Sequence, residues 1–326
     1  MHRRTILRAL GGLFAFVAVL AATAWLAFVP FAKEPGYEMA AHWGERGSGA
    51  GQFRDPTGIA VAGGEIFASD SRNNRIQVFD RDGNFKRQFG EAGDALGELG
   101  RPMNLAIRDG ELYVAEYFND RIQVFSLDGE PLRVIGTAGS GPGQFNAPGG
   151  VTVTADGRLF VADFYNHRIQ ELAADGSALG QWGTTGETGV WAGEFIYPTD
   201  VAAGADGAVY VADGYANRVQ KFGPDGAFST KWGGPLAMMV PGSFNGWFRT
   251  VSSISVGPEE RIFTADFYND RVQVFAADGT FLTAFGEGGE ENGQFAHPVA
   301  LDVAEDGTVY VADFLNNRIQ AWRPKR

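Results

Sequence analysis

One short segment recurs six times in this chain: RIQVF from Arg75 and again from Arg121, RIQEL from Arg168, RVQKF from Arg218, RVQVF from Arg271 and RIQAW from Arg318. Successive arginines are 46, 47, 50, 53 and 47 residues apart. A repeat of this period is one supersecondary unit that cannot bury its apolar faces alone and must stack on its neighbours. Five residues before each arginine stands an acid: Asp70, Glu116, Asp163, Asp213, Asp266 and Asp313. Just before the arginines lie Asn73, Asn119, Asn166, Asn217, Asn269 and Asn316, so the unit reads acid-x-x-Asn-x-Arg. Each unit divides into four short strands. Asp-Gly pairs such as Asp82-Gly83 and Asp156-Gly157 punctuate them, as tight hairpin turns require. The fourth strand ends in an aromatic residue or Ile followed by Gly, as in Phe89-Gly90 and Trp182-Gly183. The high glycine content (46 residues) is spread through these periodic segments, which fits many turns rather than disorder.

The acid-x-x-Asn-x-Arg pattern resembles the NHL repeat, over about residues 37–326. That resemblance implies an all-β, six-bladed β-propeller. It implies no single function, since propellers host enzymes, sensors and scaffolds alike. The sixth unit stops after its third strand, at Trp322. The missing fourth strand is expected near the other end of the chain, where Met39–Gly44 ends in the same aromatic-Gly pair and leads into GQF at Gly51. Pairing of this strand with the sixth unit closes the ring and protects strand edges. The expected organisation is an anchor over 1–32, a linker over 33–38 and the propeller over 39–326.

Residues 9–32 carry no charge, and Arg3, Arg4 and Arg8 precede them. About 20 apolar residues span a bilayer, whereas a cleaved signal usually has an apolar core of about 7–15. The length favours a retained transmembrane helix. Ala22-Thr23-Ala24 has the small-residue form of a cleavage site and keeps the cleaved alternative open, and Arg3-Arg4 resembles a twin-arginine export signal. Basic residues before the span place the propeller on the extracytoplasmic, periplasmic side. The net charge of −12 argues against a nucleic-acid partner. With no cysteine, disulfides and thiolate chemistry are excluded.

In an antiparallel blade the acid-x-x-Asn-x-Arg loops and the Gly-x-Phe loops share one face, here the top. The Asp-Gly turns share the bottom. A six-residue linker reaches at most about 20 Å and leads into the closing strand from below, so the bottom is expected to face the membrane. From each strand-ending Gly to the Gly of the next Gly-x-Phe, the gaps are 7, 7, 7, 10, 13 and 7. The longest connection, entering blade five, carries Met238, Met239 and Phe244, with Trp247 after it. Per-repeat insertions map to binding faces, and Met-rich surfaces adapt to partners.

Sixfold repetition of the acids and of Arg75, Arg121, Arg168, Arg218, Arg271 and Arg318 predicts a structural clasp. Positions that break the symmetry carry the functional expectation. Large aromatics follow most of the acids, Phe267 and Tyr268 among them, either packing between blades or ringing the channel mouth. Around the prolines that begin the innermost strands, Arg101, Tyr197, Arg249 and His297 are candidates for an anionic or polar ligand. Asn104 and Asp200 are candidate oxygen ligands for a hard cation. Similarity to the peptide α-amidating lyases would imply a zinc on three histidines, but only His167 and His297 are placed for it. Similarity to gluconolactonase-like propellers would imply a Glu, Asn and Asp set, and no Glu stands at an equivalent inner-strand position. The favoured reading is a membrane-held binding or scaffold propeller without a cofactor. It recognises a protein partner, a membrane complex or a small ligand on its top face. The alternative is a hydrolase or lyase with one divalent cation, calcium or zinc, at the channel mouth.

Overall fold

The structure is a computed structural model that describes residues 29–325. Six four-stranded antiparallel sheets make up the propeller. Blade one runs outward through Pro56–Ala62, Glu65–Asp70, Arg75–Asp80 and Phe85–Phe89. Its second and third strands are buried on both faces between neighbouring blades. They therefore read as near-continuous apolar runs rather than alternating ones. The core lies in the gaps between sheets. In one such gap Phe53, Ile66 and Phe79 of blade one pack with Tyr310 and Ile319 of blade six.

The ring closes as expected. Tyr37–Trp43 pairs antiparallel with Arg318–Pro324, matching Tyr37 to Pro324 and Trp43 to Ile319. The closing strand begins at Tyr37, two residues earlier than the sequence suggests, and its partner runs on past Trp322 to Pro324.

The aromatic-Gly ending has a local cause. The Phe or Leu of each following Gly-x-Phe segment (Phe53, Leu99, Phe145, Phe195, Phe248, Phe295) is fully buried. Each lies on the glycine that ends the preceding strand. A Cβ on Gly136 would meet the Phe145 ring at 2.2 Å, and one on Gly286 would meet Phe295 at 2.4 Å. Both glycines also have positive φ, which a side chain would strain.

The path before the closing strand departs from expectation. The linker does meet the closing strand at the bottom, where Glu34 pairs with Arg261 of the blade-five hairpin at 3.2 Å, but before that point it does not run on downward. It climbs the side of blade five, where Lys33 and Glu34 donate backbone N–H groups to Leu282 O at 2.7 and 3.3 Å. Leu282 lies in the outermost strand Phe281–Phe285. An unpaired edge offers carbonyls that the passing chain satisfies. Farther back, Asn245 Nδ2 donates to Pro30 O at 3.2 Å. The linker thus reaches the long loop that enters blade five. No helix among the described residues is long and apolar enough to cross a membrane. The expected anchor lies, for residues 1–28, outside the described residues.

Candidate functional site: a closed cup on the top face

The clasp expected from the repeat is present in every blade. In blade one Arg75 Nε donates to Asp70 Oδ2 at 2.8 Å, and the guanidinium also reaches the carbonyls of Ser48, Gly49 and Gln52. Gln77, also buried, donates to Gln52 O and Asp70 Oδ2. The clasp ties each blade to its own incoming loop. Asn73 adds bonds to Gly47 O and Asp70 Oδ2. Equivalent asparagines act in blades two, three, five and six. Blade four departs from the pattern: Ala216 stands at that position, and Asn217 is one residue later. Asn217 Nδ2 donates instead to Met239 O at 3.2 Å, in the long loop. Burial raises the Asp213 carboxyl to about 6, against the opposing pull of the Arg218 guanidinium.

A second sixfold tie was not read from the sequence. The residue just before each clasp arginine accepts a hydrogen bond from the next blade. Asn74 Oδ1 accepts from Arg101 N at 2.9 Å, Asp120 Oδ1 from Ala147 N at 2.6 Å and Asn217 Oδ1 from Thr250 N at 2.8 Å. Asp270 and Asn317 do the same for His297 and Asp55. In blade three the acceptor is His167 Nδ1, 3.2 Å from Tyr197 N, and burial lowers the pKa of this imidazole. All six acceptors are left-handed, as are the donors' residues. The signal was present: Asn, Asp or His at one column is what a left-handed acceptor position selects.

The residue after each position at the start of the inner strands (Thr57, Met103, Gly149, Thr199, Ser252, Val299) contributes to the floor of a cup of about 230 Å³. Thr57, Thr199 and Ser252 donate their hydroxyls to the next blade, at Pro102 O, Val251 O and Pro298 O. The walls are Tyr117, Phe164, Tyr215, Phe267 and Tyr268. The lining carries no carboxylate, imidazole, ammonium or guanidinium. Tyr117 and Tyr165 share a hydroxyl hydrogen bond of 2.9 Å. Around the mouth Phe118, Tyr165, Tyr215, Tyr268 and Leu315 are exposed, one from each of blades two to six, Tyr215 and Tyr268 being walls as well. At blade one the crown is broken by Arg72. There Arg54, Arg72 and Arg101 flank a cleft of about 350 Å³ with Phe118. Arg72 pairs with Asp55. Arg101 lies over the Tyr117 and Phe118 rings, 5.2 and 5.3 Å from their centroids.

Asp200 seals the cup from below. It is wholly buried. Its Oδ2 accepts from Asn104 Nδ2 at 2.6 Å, Ser253 Oγ at 2.8 Å and Ile254 N at 3.0 Å, and its Oδ1 accepts from Val201 N at 2.8 Å. The carboxylate thereby spans blades two, four and five across the axis. It passes over Gly150 of blade three, where a Cβ would lie 2.1 Å from Oδ1. Desolvation raises its pKa to about 6. Below this girdle lies a second chamber of about 240 Å³. There Asp302 accepts from Ser255 Oγ at 2.7 Å and Val61 N at 2.8 Å.

Of the residues singled out in the sequence, Asn104, Phe267 and Tyr268 line the cup. Asn104 and Asp200 meet, but as partners of each other. Asn104 turns its amide N–H to the carboxylate, while its Oδ1 accepts from Leu105 N. The oxygens proposed for a cation are thus occupied by N–H and O–H donors. No group of three His, Cys, Asp or Glu residues among the described residues is arranged to hold a metal ion. Arg101, Tyr197, Arg249 and His297 do not converge on one ligand. Tyr197 packs against Phe164 and His167, Arg249 lies over Tyr268, and His297 stacks on Phe267 at 4.6 Å. They buttress the rings from behind. Met238 and Met239 lie in the long loop at the outer rim, Trp247 follows it, and none of the three lines the cup.

Comparison with known proteins fits this architecture. The family described as NHL repeat matches residues 53–79, 145–172 and 195–222. The chain carries NHL repeats. The B-box type zinc finger protein ncl-1 of Caenorhabditis elegans is 53% identical over 47 residues, 14% of this chain and 6% of that protein. The match thus covers only a small part of that relative's length. Among solved structures, a protein of unknown function from Bacteroides thetaiotaomicron aligns with a TM-score of 0.66 at 14% identity, over 89% of this chain and 76% of that one. The gluconolactonase XC5397 of Xanthomonas campestris aligns with a TM-score of 0.61 at 15% identity, over 85% and 88%. At these identities the likeness to the solved structures is one of fold.

Proposed function

We propose that this NHL propeller is a binding module, held at the extracytoplasmic side of a membrane by its N-terminal apolar segment. It takes an apolar side chain of a protein partner into its top-face cup. The observation that carries this reading is the cup itself: a blind, aromatic-walled recess without an acid or base in its lining, framed by five exposed apolar tips. Buried aromatic pockets ringed by solvent-excluding contacts are where interface energy concentrates. The arginine cleft beside the cup complements a carboxylate next to the inserted side chain.

Photo-crosslinking from single positions of the membrane-embedded, full-length protein tests this. A photoreactive residue at Phe118 or Tyr268 is expected to yield one discrete protein adduct, and one at Asp156 on the opposite face none. Phe164→Ala and Phe267→Ala are expected to abolish the adduct while the protein still melts cooperatively. Equal labelling from both faces, or an adduct indifferent to the cup variants, overturns the reading.

A further inference from the structure

The long loop that enters blade five, Gly233–Gly246, lines no part of the cup, yet it is built to hold apolar side chains outward. Leu236 is 75% exposed, and Met239 and Val240 are also exposed. The neighbouring blade-four loop adds Trp191, 66% exposed, and the linker adds Phe31, 68% exposed. These side chains do not hang on a slack segment. Gly234 N donates to Gly246 O at 3.1 Å, and Gly242 N to Phe248 O at 2.9 Å, closing the base of the loop. The guanidinium of Arg218 reaches both Val190 O and Ala237 O, so the two loops share one buried post. Lys231 Nζ donates to Val190 O at 3.0 Å as well. Leu236, Ala237 and Met239 all have positive φ, at 55°, 48° and 66°. A non-glycine residue in that region is strained, and three so close together persist only where the surroundings impose them. Here the strain turns Leu236 and Met239 to solvent.

Two further features say what lies against this rim. The chain leading from the uncharged run of residues 9–32 touches it: Asn245 binds Pro30 O, and Pro30 shares a cavity of about 360 Å³ with Leu236 and Trp232. In a chain of net charge −12, no acid occurs from Gly226 to Pro258, while Lys231 and Arg249 do. The bottom face, by contrast, gathers the acids of the Asp-Gly turns. We infer that the blade-four and blade-five rim rests in the headgroup-to-acyl boundary of a lipid bilayer, so that the propeller stands edge-on beside its anchor with the cup opening sideways. The inference rests on the membrane reading above. Glu187 and Glu194 stand in the blade-four loop, but the blade-five loop that projects farthest has no acid, and a rigid apolar protrusion with aromatic and Leu tips is what that boundary accepts.

The cysteine-free sequence makes the test direct. Single variants Leu236→Cys, Phe118→Cys and Asp156→Cys of the full-length protein, each carrying an environment-sensitive fluorophore, are reconstituted into vesicles of phosphatidylcholine and phosphatidylglycerol. Flotation with the vesicles tests the anchor on its own. In floating protein, the label at 236 is expected to be blue-shifted, quenched by nitroxide lipids and protected from iodide. Labels at 118 and 156 are expected to behave in the opposite way. In a background of Val240→Glu and Met239→Glu, flotation should persist while the lipid quenching at 236 is lost. A 236 label open to iodide in floating protein overturns the inference and leaves the anchor standing. So does one shielded from both quenchers, which would mean that protein, or the apolar segment itself, covers the rim. Lipid quenching at 156 restores the bottom-down orientation and overturns it too.

Discussion

Asp200 is the residue on which the cup's floor depends. Its carboxylate gathers four donors from three blades, yet burial still holds its pKa near 6, above the ordinary aspartate value of 3.8. A carboxyl whose folded pKa is raised lends its stability below the unfolded pKa and loses it as pH rises through the folded one. The loss falls between about pH 4 and 6 and amounts to roughly 3 kcal/mol for a shift of this size. In Asp200→Asn the group cannot titrate. The stability of the natural protein relative to this variant is therefore expected to grow as pH falls from 7 to 4. Urea unfolding at stepped pH measures the difference, and a flat difference contradicts the raised pKa. Neither the girdle nor its floor was legible in the sequence. Asn104 and Asp200 stood out as unlike their counterparts, but the bond between them joins residues 96 positions apart. Spacing carries no trace of it. Only Gly150, a bare position where the carboxylate must pass, bore a hint.

At the scale of the element, the clasp is both the signature of the repeat and its joint. It was legible because each of its parts lies within one unit, so the same columns recur six times. Arg168 and Asp163 are essentially inaccessible to solvent. Removing one member of a buried ion pair leaves the other uncompensated, typically at a cost of about 3–5 kcal/mol. Arg168→Met is expected to lose stability in that range, and Arg168→Met with Asp163→Asn to recover part of it. Denaturant midpoints decide; a double variant no better than the single would mean that the arginine acts through its carbonyl bonds alone. Blade four shows where reading by column fails. Ala216 takes the place of its clasp asparagine, and the same blade faces the longest connection. The position freed by Ala216 coincides with the loop that departs most from the repeat. The course of that loop, and of the linker beside it, was not legible because neither repeats.

For the whole molecule, the seam is the one place where the ring is held by a single strand pair between chain ends. Ala41 and Ala321 stand directly opposite each other in it. Ala41→Cys with Ala321→Cys is expected to form a disulfide and slow unfolding, with the effect abolished by reductant. Crosslinks that close loops of 100 residues or more are worth up to about 5 kcal/mol in the chain-entropy account. An unfolding rate in guanidinium unchanged by oxidation would show that the ring opens elsewhere first.

The closing strand also imposes an order on biogenesis. Its partner lies about 280 residues later in the chain, among the most distant contacts such a fold can make, and contacts of that range form late. Until Arg318–Pro324 has left the ribosome, the first strand has no mate and the sixth blade no outer edge. A chain that has not yet made Arg318–Pro324 is thus an open arc with exposed pairing surfaces. Closure therefore makes the last blade decisive: a product truncated before Arg318 keeps an unpaired first strand, an open edge of the kind that invites pairing with other chains.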